Sequence, residues 1–184
     1  MTASHRGRLL VATPKLLDPN FDRTVIYVCF HDEHGAFGLV LNRPIEQLDV
    51  AEHLPGWVGR LSEPRRMFIG GPVERTSALG LARGATDDLG DHWTRVGPDL
   101  GLVNLGRAAE DTPGIRDLRV FLGYAGWGEG QLDGEIEEGA WVVVDVRPGD
   151  LFAEAPEGLW REVLRRQKGD MALLASTPRE PRVN

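Results

Sequence analysis

The sequence predicts a mixed α/β domain, and three observations carry that prediction. Several short runs of β-branched, aromatic and aliphatic residues lack polar alternation, as strands covered on both faces do. Amphipathic or capped helical stretches fall between and after them. The 23 glycines and 12 prolines are spread along the chain, so they punctuate turns rather than mark a low-complexity tract. At 184 residues the chain is expected to be a single domain over 1–184, with 1–6 and 178–184 as loose ends. A chain of this length buries a core without needing disulfides or a structural metal.

Leu9 to Ala12 reads as a short buried strand closed by Thr13-Pro14. Residues 14–23 (PKLLDPNFDR) form a proline-punctuated loop. Thr24 to Phe30 (TVIYVCF) and Phe37 to Leu41 read as two strands, and the short Gly-containing connection between them predicts a hairpin. Asp49 and Glu52 have the spacing of a capping box, whose helix Pro55-Gly56 cuts short. Residues 57–66 read as loop, Met67 to Ile69 as a brief strand ended by Gly70-Gly71-Pro72, and 73–106 as short strands and turns. Leu118 to Tyr124 (LRVFLGY) is a strand, 131–138 a helix and Trp141 to Val146 a further buried strand. Glu157 to Gln167 is an amphipathic helix lined by Leu159, Trp160, Val163 and Leu164.

Charge and cysteine usage narrow the function classes. The balance of 21 basic against 28 acidic residues gives −7, which disfavours nucleic acid and anionic membrane surfaces. The single cysteine, Cys29, cannot form an internal disulfide, which suits a reducing cytoplasm. The apolar run near the start is four residues long, too short for a signal peptide or a membrane span. The expected location is therefore cytoplasmic.

Few residues form a chemical constellation. Gly123, Gly126, Gly128 and Gly130 lie between a strand and a helix, where backbone amides can approach an anion. The pattern is neither a dinucleotide nor a P-loop fingerprint, and the acids from Glu129 to Glu138 repel phosphate, so a turn that holds Trp127 is the favoured reading. Cys29, His31 and His34 make a C-x-H-x-x-H cluster, and two-residue strand periodicity puts Cys29 and His31 on one face. No second Cys/His pair accompanies them, so no metal and no cofactor is expected. No nucleophile elbow or acid dyad stands out, and no catalytic residue is assigned. Arg161, Arg165, Arg166 and Lys168 read as a solvated helix face with Glu157–Arg161 and Glu162–Arg166 pairs.

Five segments together resemble the YqgE/AlgH family of bacterial proteins, in the manner of its actinobacterial members. They are Gly7-x-Leu9-Leu10-Val11-Ala12-x-Pro14, Asp18-Pro19-x-Phe21-x-Arg23-Thr24-Val25, Gly38-Leu39-Val40-Leu41-Asn42-Arg43-Pro44, Gly70-Gly71-Pro72-Val73, and Leu122 to Leu132. The likeness runs from about residue 7 to the C-terminus. It implies a strongly bent, barrel-like mixed sheet flanked by helices, and a cytosolic protein whose activity is unassigned. One branch of the family carries the label of transcriptional regulator. Many members run from Gly-Gly-Pro-Val into an aromatic stretch ending in His; Thr76 to Arg83 here contains no His, which removes support for any role resting on one.

Polar and aromatic residues at strand ends suggest a cleft with Arg23, Asn42, Arg43, Tyr124, Trp127 and Gln131 at its rim. Arg23 is placed to clamp Asp18 or Asp22. The leading expectation is a non-catalytic binding or regulatory module with an unidentified protein or small-molecule partner, and homodimerisation is a general prior. An enzyme of unknown reaction using that cleft and a DNA-binding regulator are the alternatives.

Overall fold

Buried runs on Leu9–Ala12 and Val25–Cys29 organise the molecule. A computed structural model describes residues 3–84 and 90–179. Strands β1 (Arg8–Ala12), β2 (Val25–Asp32), β3 (Gly35–Val40), β4 (Met67–Ile69), β5 (Val73–Gly84), β6 (Trp93–Gly97), β7 (Leu100–Val103), β8 (Ile115–Trp127) and β9 (Trp141–Asp145) form one nine-stranded sheet. Its order is β6-β7-β5-β8-β3-β2-β1-β9, and β4 pairs with β8. All pairings are antiparallel except β4 with β8, so the sheet is mixed. It is not closed, since β6 and β9 stand at its two ends without pairing to each other, and it curves so that the Tyr27 hydroxyl on β2 donates to the Val96 carbonyl of edge strand β6 at 2.9 Å.

The helices are short: α1 (Val50–His53), α2 (Gln131–Glu137), α3 (Leu159–Arg165) and α4 (Asp170–Leu174). Asp49 caps α1 by accepting the Ala51 amide, and a 3-10 turn over Pro55–Arg60 occupies part of what the sequence suggests is loop. On one face of the sheet Leu9, Val11, Val25, Tyr27 and Cys29 pack with Leu159, Trp160, Val163 and Leu164 of α3. On the other, Leu10, Ala12, Ile26 and Val28 pack with Trp127, Leu132 and Trp141. This double burial is why β1 and β2 lack polar alternation. A third group, including Trp57, Leu61, Leu118 and Val120, lies under the α1 region.

Two irregularities re-aim side chains. In β2 the register passes from Val28↔Gly38 to Phe30↔Phe37, leaving Cys29 as the extra residue of a bulge. Cys29 and Phe30 both pack on the α3 face, while His31 turns to the α2 face. The expectation that Cys29 and His31 share a face is thereby corrected, because the bulge breaks the period of two. In β8, Gly123 has φ +70, and a Cβ there would sit 2.6 Å from the Gly71 carbonyl oxygen. Past this kink Tyr124 packs on the α3 face and Ala125 and Trp127 on the other.

Candidate functional site

The C-terminal end of β3 meets the 13–24 loop. Asn42 accepts the Val25 amide at 2.9 Å and donates to the Arg23 carbonyl at 2.8 Å, joining loop to strand from both sides. The Arg43 guanidinium donates to the carbonyls of Asn20 (2.5 Å), Asp22 (2.8 Å) and Pro19 (3.4 Å). The clamp on this loop is therefore Arg43. Arg23, held at φ +54, instead reaches the Thr177 carbonyl at 2.6 Å and lies 4.8 Å above the Trp160 ring. It ties the loop to the segment after α4.

The clamped loop presents Phe21 to an aromatic wall. Its ring stacks 6.5 Å from Trp127 and meets Trp141 edge-on at 5.5 Å. Both indoles donate to one oxygen of Glu135 on α2, Trp127 at 2.9 Å and Trp141 at 2.8 Å. Gln131 donates to the other oxygen at 2.9 Å and accepts the Gly128 amide at 3.1 Å. Glu135 thus accepts three N–H donors, an arrangement in which each partner orients the others. The Trp127 indole is held by Glu135 of α2, and the Gly128 amide of the glycine-rich turn is taken by Gln131 rather than left for an anion.

Five of the six rim residues fall into two groups bridged by Phe21: Arg23, Asn42 and Arg43 around the loop, Trp127 and Gln131 around Glu135. Tyr124 stands apart, with its ring 4.6 Å from Phe37 on the opposite face. Phe21, Glu135 and Trp141 complete the arrangement and were not singled out from the sequence. The Trp141 and Glu135 partnership spans a helix–strand connection that no local periodicity reveals.

Elsewhere, a cavity of about 330 Å³ is lined by Arg60, Ser62, Glu63, Asp117, Phe152 and Glu154, with none of the rim residues in its wall. Behind it Arg119 is buried, its guanidinium 4.3 Å from the Phe68 ring. One nitrogen bonds the carbonyls of Glu63 (2.7 Å) and Ala153 (3.0 Å), joining the two segments that flank the cavity. Burial pushes the Cys29 thiol well up from its ordinary value, which suppresses the nucleophilic thiolate. His34 points to Glu33 in an exposed turn, far from making a set with Cys29. On the basic helix, Arg166 pairs with buried Asp150 at 2.6 Å and Arg161 reaches the Ala175 carbonyl. No helix is long and apolar enough to cross a membrane among the described residues.

The fold and this strand-end arrangement define a class: a mixed α/β protein with a large, curved, non-closed sheet. The AlgH-like family model, DUF179, matches residues 9–172, and the chain belongs to that family. It is 50% identical to a UPF0301 protein of Streptomyces coelicolor over 99% of this chain and 96% of the relative. A UPF0301 protein of Mycobacterium leprae is 43% identical, over 94% and 87%. Among solved structures, a Corynebacterium diphtheriae protein matches with a TM-score of 0.85 at 34% identity, covering 95% of this chain and 93% of that one. The solution structure of AlgH from Pseudomonas aeruginosa matches with a TM-score of 0.69 at 28% identity, covering 98% and 100%.

Proposed function

We propose that the protein is a non-catalytic binding or regulatory module that recognises a small molecule or another protein at the surface around Arg43, Phe21, Trp127 and Gln131. The observation that supports this reading is the convergence of two indoles and an amide on Glu135, beneath a loop that Arg43 holds in place. Gln131 is exposed, while Phe21, Arg43 and Glu135 are half-buried. A ligand would therefore meet the Phe21 ring and the Gln131 amide, set in position before it arrives by the buried Trp127 and Trp141 behind them, which lowers the ordering cost of binding. A cytoplasmic location and a homodimer fit this reading. The transcriptional-regulator label borne in one branch of the family has less support, because the net charge of −7 opposes duplex binding.

The test is a thermal-shift screen against nucleotides, common metabolites and short duplex DNA, repeated with Gln131→Ala and Arg43→Ala. A ligand at 100 times its Kd stabilises by about 2.7 kcal/mol, enough to move the midpoint by several degrees. The reading expects a shift that both substitutions abolish while circular dichroism stays native. A shift that survives in both variants rejects this surface. A shift with duplex DNA that falls steeply with salt supports the regulator instead.

A further inference from the structure

Three donor atoms outside the surface just described meet where the N-terminal segment crosses β2 and α2. His5 Nε2 stands 3.6 Å from Asp133 Oδ1, and His31 Nε2 stands 3.9 Å from the same oxygen. The three side chains offer ligand atoms that all lie within 4.8 Å of one another. Both separations exceed a hydrogen bond. They approach the spacing of two donors that share one tetrahedral ion with bonds of about 2.0–2.2 Å. The rings are stacked, with centroids 5.3 Å apart and planes 11° from parallel, so both edges present nitrogen toward the same carboxylate. The side chains are 21% (His5), 7% (His31) and 17% (Asp133) exposed, which leaves the point sheltered yet reachable.

We propose that His5, His31 and Asp133 bind a divalent first-row transition metal ion of the zinc or cobalt class, with water completing the coordination. Two imidazoles and one carboxylate are the donors such ions favour, and three protein ligands leave a position open. The bulge at Cys29 makes the set possible, since it turns His31 to the α2 face. Arg8, whose charge opposes a cation at His5, is paired with Asp145 at 3.0 Å.

One bond must be given up. His31 Nδ1 accepts the His5 backbone N–H at 3.0 Å, so the neutral ring carries its proton on Nε2. Metal binding moves that proton to Nδ1 and turns the His5 amide to water. Losing one such hydrogen bond weakens affinity by about tenfold. The bound ion then replaces it as the link between the N-terminal segment and β2, and ties both to Asp133 on α2.

The experiment uses the tag-free full chain, stripped with chelator and titrated with Co²⁺ by visible absorption, followed by displacement with Zn²⁺. One Co²⁺ per chain is expected, with ligand-field bands that Zn²⁺ removes. His5→Ala and Asp133→Asn should each weaken binding at least tenfold, with circular dichroism unchanged, and His34→Ala should not. His5 precedes the first strand, so His5→Ala keeps the test decisive if Asp133→Asn does not fold. No saturable band at millimolar Co²⁺ overturns the proposal. So does undiminished binding in His5→Ala, or a loss confined to His34→Ala.

Discussion

The Tyr27 hydroxyl donates to the Val96 carbonyl at 2.9 Å, linking β2 to edge strand β6 across the open side of the curved sheet. Both residues are buried, so neither group has water as an easy alternative partner.

Tyr27→Phe removes that donor and leaves a buried carbonyl unsatisfied, an expected loss of about 1–3 kcal/mol in urea denaturation. Burial pushes the phenol up to about 12 from 10.0. An acid whose pKa is raised on folding holds its proton longer in the native state. Its contribution is therefore complete below pH 10, and it is lost as pH rises through about 12. The near-ultraviolet alkaline titration of Tyr124→Phe, which keeps Tyr27 as its tyrosine, should show phenolate appearing late or together with unfolding. Ordinary titration of the native protein near pH 10 contradicts the link.

Glu135→Gln keeps the size of the side chain but replaces a charged acceptor facing two indole donors. The expected cost is about 1–3 kcal/mol by thermal or urea unfolding, with a change in tryptophan emission as the acceptor shared by Trp127 and Trp141 loses its charge. Glu135→Ala should cost more, because it leaves both indole N–H groups and the Gln131 amide without their acceptor. Unchanged emission in both variants would show that the indoles do not depend on Glu135.

Asp150 is 3% exposed, accepts from Arg166 through both oxygens and accepts the Arg147 amide at 2.7 Å. Asp150→Ala strands a half-buried guanidinium and a backbone donor, so a loss of about 3–5 kcal/mol is expected. The double variant Asp150→Ala with Arg166→Met should recover part of it, because no unpaired charge remains. A double variant no more stable than the single one would assign the loss to the Arg147 amide.

Local signals read some elements closely. The uninterrupted TVIYVCF run implies a strand buried on both sides, and β2 packs into a core on each face. The same run could not show the bulge at Cys29, because β-branched and aromatic residues suit a bulged strand as well as a regular one. The strand LRVFLGY was legible, yet the burial of Arg119 within it was not: a stacked Phe68 and two carbonyls from distant loops make that burial possible. Asn42 and Arg43 drew attention by ending an apolar strand with polar groups. Their partners became visible only when the 13–24 loop closed over them.

Apart from α4, the full 12-residue span of β5 and the seven-residue length of α3, the sequence by itself determined the buried strands, the places of α1, α2 and α3, and the family to which the chain belongs. These follow from hydrophobic runs, turn residues and ordered motifs, which act over a few positions at a time. Tertiary structure decided which face each polar side chain occupies: His31 beside His5 and Asp133, Glu135 between two tryptophans, Tyr124 turned away from Trp127. The physical reason is that a one-residue bulge or a single left-handed glycine reverses the direction of everything after it in a strand. Whether such a shift is tolerated depends on the strands and loops packed against it, not on the residues beside it in sequence.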